Sequence, residues 1–169
     1  YLNRATADEQ SGPFVAVDEV DMTPAKLLLI DDSATVRTGI AEALTARGFT
    51  VRTAEQGLQG LSAALSDPPD IVVSDVEMPG MDGWTLLRML RARKALAKIP
   101  IVFLTRLSGE PERMRGYQLG VDDFISKETS PDEIAPRLRR LLHRVRGESP
   151  RTAAARSLRG DLRQVSVAS

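Results

Sequence analysis

Residues 71–83 read IVVSDVEMPGMDG, and this stretch decides the fold. It opens with the run IVV, which is apolar on both faces of a strand, and Asp75 follows that run after one serine, Ser74. A strand of this kind is typical of a parallel sheet that helices cover on both sides. A Pro-Gly pair, which is a strong turn signal, follows shortly. The stretch therefore predicts a buried parallel strand whose carboxyl end carries a carboxylate and leads into a loop.

Similar apolar runs lie on either side, LLLI at 27–30 and IVFL at 101–104, and segments with helical spacing separate them. In the second helical segment we expect Leu58, Leu61 and Leu65 to form the buried face. Five strand–helix units predict an α/β sandwich, in which ligands bind at the carboxyl ends of the strands. The expected strands are 26–30, 49–54, 70–75, 100–105 and 122–126, and the expected helices are 34–47, 56–66, 84–95, 109–119 and 131–146.

Polar residues stand at the carboxyl ends of four predicted strands: Asp31 and Asp32 after the first, Asp75 at the end of the third, Thr105 at the end of the fourth and Lys127 after the fifth. Clustered carboxylates repel one another, and a hard dication with oxygen ligands, such as Mg²⁺, relieves the repulsion. A metal, a carboxylate nucleophile, a hydroxyl donor and an ammonium group together suit phosphoryl transfer to an aspartate. The pattern therefore predicts an acidic site for phosphoryl chemistry.

Each of these residues also has an ordinary explanation when it is taken alone. Asp31 and Asp32 would serve as caps of the first helix, and Asp75 would serve as a turn residue before the Pro-Gly pair. Thr105 would be a common strand residue, and Lys127 a surface lysine. The joint placement of all of them at strand ends favours the chemical interpretation.

The segments LLLIDDS, IVVSDVEMPGMDG, IVFLT and DDFISK resemble the receiver domain of two-component response regulators, the CheY-like superfamily. The resemblance covers residues 26–146. It implies a flavodoxin-like (βα)5 doubly wound sandwich, whose five-stranded parallel sheet has the order 2-1-3-4-5. That strand order is taken from the resemblance, because CheY is a standard example of it.

The resemblance also implies roles for the acidic residues. Asp75 is similar to the family's phosphoryl acceptor, and it also contributes to a site for Mg²⁺ or Mn²⁺. Asp31 and Asp32 are similar to the family's acidic pair, with Asp32 the more direct metal ligand and Asp31 acting partly through water. The backbone carbonyl of Glu77 resembles the remaining protein ligand.

Three further residues resemble the parts that respond to phosphorylation. Thr105 is similar to the hydroxyl residue that moves to meet the phosphoryl group, and Lys127 to the lysine that pairs with the acceptor or with the phosphoryl oxygens. Phe124 matches the aromatic switch position, and we expect it to fill the space that Thr105 leaves.

The implied function is a phosphorylation-dependent signalling switch rather than an enzyme in the usual sense. A histidine kinase or phosphotransfer protein supplies the phosphoryl group, and the surface of helix 4, strand 5 and helix 5 regulates a downstream effector domain or protein, or forms a homodimer. The alternative is a receiver-like interaction module that works without phosphorylation. A haloacid-dehalogenase-like phosphatase is disfavoured, because that family has two acids one residue apart where this chain has adjacent Asp31 and Asp32.

Two positions depart from the family pattern. Arg106 stands where a small residue is usual, and Glu128 stands where proline is common, so we expect a trans peptide bond there. A long, permanently charged guanidinium beside the phosphoryl site would cover it and pair with its oxygens. We therefore predict that Arg106, together with Glu77, forms an access gate to Asp75.

Composition and charge limit the remaining functions. The chain of 169 residues has no Cys and one His, which excludes disulfides, thiolate metal sites and histidine-rich sites. No apolar run approaches the length of a membrane helix. These features favour a cytoplasmic domain with no membrane partner and no direct nucleic-acid binding.

Both ends of the sequence differ from the middle. Residues 1–25 carry five acids, and we interpret them as a tail or linker. Residues 137–159 carry eight arginines, which we interpret as a solvated helix face running into a linker. Residues 147–169 are predicted to be this linker or the start of a truncated effector domain, because the end weakly resembles the opening of a PATAN-type domain.

Overall fold

The structure is a computed structural model that describes residues 23–106 and 109–147. Strands and helices alternate along the described chain, as the sequence predicted. The elements are β1 (Lys26–Ile30), α1 (Ala34–Ala46), β2 (Thr50–Ala54), α2 (Gly57–Ser66), β3 (Ile71–Ser74), α3 (Gly83–Ala92), β4 (Ile101–Thr105), α4 (Glu110–Leu119), β5 (Asp123–Ser126) and α5 (Pro131–Gly147).

The five strands form one parallel sheet in the order β2-β1-β3-β4-β5. Residues alternate between the two faces of the sheet, so that Leu27 and Leu29 join one core while Leu28 and Ile30 join the other. Helices α1 and α5 supply side chains to the first core, and α2 and α3 supply them to the second. The predicted doubly wound (βα)5 sandwich is therefore confirmed.

The buried face of α2 differs from the prediction. Leu61 is buried, but Leu58 and Leu65 are 65% and 44% exposed. Small residues make the contact instead, since a Cβ added to Gly60 would overlap the Ile30 side chain of β1. The helix thus lies close to the sheet, and Leu58 and Leu65 remain exposed instead of joining the core.

Helix α3 begins one residue earlier and ends three residues sooner than the predicted range of 84–95. Asp82 Oδ1 accepts a hydrogen bond from the Thr85 N–H at 2.8 Å and caps the helix, so that Gly83 is its first residue. After Ala92 the chain turns, and the Leu96 N–H donates to the Arg93 carbonyl at 3.0 Å.

Several expectations for the ends of the chain fall outside the described residues. They include most of the predicted tail at 1–25 and nearly all of the segment 147–169, with its PATAN resemblance. Within residues 23–106 and 109–147, no helix combines the length and the apolar character that a membrane crossing requires. The expected trans bond at Glu128 agrees with the described backbone, which contains no cis peptide bond.

Candidate functional site

The strand register brings the predicted site residues to one level of the sheet. Ile30 of β1 pairs with Ser74 of β3, and the Asp75 N–H donates to the Ile30 carbonyl at 2.9 Å, so Asp31 and Asp75 follow their strands side by side. The same ladder continues past β4 and β5, where the Lys127 N–H donates to the Thr105 carbonyl at 3.0 Å. Parallel pairing therefore gathers residues from four strands at one edge.

Lys127 lies between two of the carboxylates. Its Nζ is 2.7 Å from Asp31 Oδ2 and 2.9 Å from Asp75 Oδ2, and only 11% of its side chain is exposed. Burial alone lowers the pKa of Lys127, but the hydrogen bonds and charges of Asp31 and Asp75 outweigh it and raise this pKa above its usual 10.5. Lys127 is therefore charged at neutral pH and partly neutralises the acids.

Asp75 and Asp31 are both buried, whereas Asp32 is exposed. Asp75 Oδ1 accepts the N–H of Val76 at 2.8 Å, which leaves Oδ2 on the lysine. Asp31 Oδ1 accepts the N–H of Ser33 at 2.9 Å. Each buried carboxylate thus has one oxygen held by the backbone and the other held by Lys127, and both side chains are fixed in orientation.

The three acids fit a divalent cation. One carboxylate oxygen from each of Asp31, Asp32 and Asp75 lies within 4.8 Å of the other two. Ligands on opposite sides of Mg²⁺ are about 4.2 Å apart, so one ion reaches this set with a small contraction or through a bound water. The negative charge of three carboxylates is only partly balanced by Lys127. The donor chemistry therefore suits Mg²⁺ or Mn²⁺.

A cavity of about 260 Å³ opens above the acids. Arg106 and Glu77 both line it, and both are exposed. Within the described part of the chain no ion pair joins these two side chains. The two residues of the predicted gate are thus at the mouth of the site without closing it. The lining residues are Asp32, Ser33, Val36, Asp75, Glu77, Thr105, Arg106 and Lys127.

Phe124 lies inside the protein, with 3% of its surface exposed. Its ring meets Phe103 edge-to-face at a centroid distance of 5.8 Å, and Phe103 meets Trp84 in the same way at 5.1 Å. Helix α4 approaches the Phe124 ring closely, since a Cβ on Gly116 would lie 3.4 Å from two ring atoms. Phe124, the predicted switch residue, therefore contacts both the core and α4, and its ring points into the protein.

Two contributors to the site were not singled out from the sequence. Ser33, rather than the Asp pair, is the N-cap of α1, and its Oγ accepts the Val36 N–H at 3.4 Å. Arg37 reaches back and donates to the Asp31 backbone carbonyl at 2.8 Å. A serine just before a helical pattern is a recognisable cap signal. The arginine contact depends on tertiary geometry and has no such signal.

Comparison with protein families gives one match that covers more than half of the chain. The model of the response regulator receiver domain matches residues 27–139. The "Probable transcriptional regulator ycf27" of Porphyridium aerugineum is 38% identical over 124 residues, which are 73% of this chain and 50% of that protein. "Response regulator MprA" of Mycolicibacterium vanbaalenii is 36% identical over 72% of this chain and 52% of its own length. The chain thus spans about half the length of these curated relatives.

Solved structures agree with the architecture. The chemotaxis protein CheY4 of Vibrio cholerae aligns with a TM-score of 0.66 and 29% identity over 69% of this chain and 98% of its own. A putative response regulator from Chloroflexus aurantiacus aligns with a TM-score of 0.68 and 31% identity over 71% of this chain and 98% of its own. These structures extend the similarity from the motifs to the whole described domain.

Proposed function

Because the chain belongs to the family of response regulator receiver domains, we propose that it is a signalling switch that accepts a phosphoryl group on Asp75. One observation carries the proposal: the buried Asp75 carboxylate is oriented by Val76 and Lys127 beside two more acids. This arrangement provides a fixed nucleophile, a cation for phosphoryl oxygens and ligands for a metal. The proposed domain is residues 26–146, in the cytoplasm.

In the proposed reaction an Asp75 carboxylate oxygen attacks phosphorus, forms a P–O bond, and the bond from phosphorus to the donor breaks. The donor nitrogen of a kinase histidine keeps the electron pair and takes up a proton. Bound Mg²⁺ would neutralise charge on the phosphoryl oxygens. Asp31, Asp32, Asp75 and the Glu77 backbone carbonyl are its proposed ligands. Lys127 moves from the carboxylates towards the phosphoryl oxygens.

The proposed partners follow from this chemistry. A histidine kinase or phosphotransfer protein donates to Asp75, and an effector domain or a separate effector protein responds to the surface of α4, β5 and α5. A homodimer through that surface is a further proposed outcome. Binding without phosphorylation is the competing function. Arg106 and Glu128 depart from the family pattern and leave it open, whereas the intact acids, Thr105 and Lys127 argue against it. The proposal assigns the domain no catalytic turnover of a separate substrate.

We expect phosphorylation to act as a population shift. Phe124 lies inward in the structure, so the proposed unphosphorylated ensemble exchanges between this position and an outward one, and phosphorylation selects the inward one. Thr105 and Lys127 then hold the phosphoryl group, which stabilises the inward state by a few kcal/mol, about the scale of such shifts. Beryllofluoride with Mg²⁺ should slow amide exchange between residues 105 and 127.

The matched control is Asp75→Asn, which should show no such slowing with the same additives. Unchanged exchange in wild type under saturating beryllofluoride would refute the switch and favour the phosphorylation-independent module.

We also propose that Arg106 lengthens the lifetime of the phosphorylated state. Arg106 and Glu77 line the cavity over Asp75, and a guanidinium there both blocks water and pairs with phosphoryl oxygens. Arg106→Ala should speed hydrolysis and phosphorylation by small donors. Loss of one charged hydrogen bond of about 1.5–3 kcal/mol corresponds to roughly tenfold or more in rate. Loss of the phosphoryl mass over time measures the effect.

Two variants define the gate more closely. Glu77→Ala tests the other side of the cavity, and Arg106→Lys keeps the charge while it removes the planar fork. If Arg106→Ala hydrolyses at the wild-type rate or more slowly, this side chain is not a gate.

A further inference from the structure

A second cavity lies at the opposite end of the sheet, at the amino ends of the strands. Its volume is about 710 Å³; the buried Phe49 and Leu142 form its apolar floor, and the more accessible Pro24 and Ala25 also line it. Arg139, Arg140 and His143 of α5 form one side, and Thr23 lies at its rim. We call this the basal cavity. No acidic residue is among the described residues that line it.

Among the residues that the structure describes, the arginines of this face have no carboxylate partner, unlike other arginines nearby. Arg47 pairs with Asp132 and Arg137 pairs with Asp123, each at 2.8 Å. In the described ranges, Arg139 and Arg140 pair with no carboxylate, and both are exposed. The basal cavity therefore combines an apolar floor with unbalanced positive charge.

The Arg139 side chain lies against the apolar floor of the basal cavity. Its guanidinium carbon lies 4.9 Å from the centre of the Phe49 ring, and its Nη2 donates to the Arg47 carbonyl. The planar group is thus held against the aromatic floor, with its remaining donors available beside the cavity. A ligand that offers carboxylates together with small apolar side chains would match this surface.

The chain itself carries such a segment directly before the cavity. Residues 14–21 read FVAVDEVD, which combines five apolar residues with three acids and no base. The segment is tethered next to the cavity rim, because only Met22 separates it in sequence from Thr23. The start of β1 is itself anchored, since the Ala25 carbonyl accepts the Thr50 N–H at 2.9 Å. A segment tethered this closely has an effective concentration in about the millimolar range, so weak contacts are enough.

We propose that residues 14–21 dock into the basal cavity, with their acids on Arg139 and Arg140 and their apolar side chains against Pro24 and Ala25, which line the cavity. The segment then covers the face of the domain opposite Asp75, and it ties whatever precedes it to α5. This interaction is independent of phosphorylation and goes beyond the proposed switch.

A spin label tests the docking directly. The chain has no Cys, so Ser11→Cys gives one attachment point for a nitroxide, and its one His makes the His143 ring resonance unambiguous. Ser11 lies twelve positions before Thr23, and this stretch spans up to about 40 Å when extended, so the tether does not force proximity to the cavity. We expect selective broadening of the Phe49 amide and the His143 ring.

Charge variants show whether the proposed contacts cause the broadening. It should be lost in Arg139→Gln/Arg140→Gln, in Asp18→Asn/Glu19→Gln/Asp21→Asn, and in 1 M NaCl, where the Debye length is about 3 Å. The matched control is Arg88→Gln/Arg93→Gln, which removes the same charge from exposed positions on or next to α3 and should leave the broadening intact.

Three results would overturn the proposal. Broadening that survives both cavity and tail variants would reflect the tether alone. Broadening of an isotope-labelled copy by a separate spin-labelled copy, with none within one chain, would assign the cavity to a second molecule. Broadening confined to residues 151–159 would place the acidic segment on the C-terminal arginines instead.

Discussion

Replacing Lys127 with Met should destabilise the protein when metal is absent and make its stability depend strongly on Mg²⁺. Lys127 is 2.7 Å from the buried Asp31 carboxylate and 2.9 Å from Asp75. Removing one partner of a buried ion pair typically costs about 3–5 kcal/mol, because the other charge stays buried without compensation. We expect a loss of roughly 3 kcal/mol in the free energy of unfolding in chelator, measured by urea denaturation.

Mg²⁺ should restore most of that loss, since the ion and the ammonium group compete for the same carboxylates. The variant should therefore gain more stability from Mg²⁺ than wild type does. Lys94→Met is the matched control, because Lys94 is exposed and distant in sequence from the site residues. Lys127→Met with Asp32→Asn should lose part of the gain. Equal Mg²⁺ responses in wild type and Lys127→Met would show that the lysine does not occupy the metal position.

Replacing Gly83, the first residue of α3, with Ala should displace the backbone at Asp75 and Val76. A Cβ on Gly83 would lie 2.5 Å from the Asp75 carbonyl oxygen and 2.9 Å from Val76 Cα, so backbone must move. The Gly83 N–H also donates to the Val76 carbonyl at 2.8 Å, which fixes α3 against this loop. Overpacking of this kind costs about 1–3 kcal/mol.

The shift should also slow phosphorylation, since displacing a reacting group by about 1 Å can cost on the order of a hundredfold in rate. Urea denaturation and the rate of phosphoryl uptake measure the two effects. Gly39→Ala is the matched control, because nothing lies within 4 Å of its added Cβ and it is exposed on α1. That change should stabilise the helix by about 0.5–1 kcal/mol and leave uptake unchanged. A Gly83→Ala protein with wild-type uptake would show that the loop does not position Asp75.

The strand patterns were sufficient to predict the α/β sandwich, whereas the strand order was taken from the family resemblance. Runs such as IVVS and IVFL are apolar on both faces, and only a sheet covered on both sides buries them. The predicted face of α2 was wrong at Leu58 and Leu65 for a physical reason: the helix approaches the sheet closely at Gly60, so Leu61 is its one buried leucine and small residues make the remaining contact. Hydrophobic spacing alone does not report how near two elements lie.

For the candidate site too, the sequence predicted some features and not others. Asp31, Asp75 and Lys127 meet at the carboxyl edge of the sheet because each follows a parallel strand, and their positions at the strand ends could be read from the sequence. The bridging position of Lys127 and the Arg37 contact with Asp31 depend on side-chain geometry across elements far apart in sequence. Phosphoryl acceptance and the Arg106 gate stay predictions, since they concern chemistry rather than position.

The most direct test of the central claim is intact mass after incubation with acetyl phosphate and Mg²⁺. Wild type and Asp75→Asn are compared, each also in an Arg106→Ala background so that slow uptake past Arg106 does not hide the reaction. We predict that one phosphoryl group is added to the proteins that retain Asp75, and that none is added to the Asp75→Asn proteins or when Mg²⁺ is chelated. Equal phosphoryl uptake by the Asp75→Asn proteins, or no uptake by Arg106→Ala, would contradict the assignment of Asp75 as the acceptor.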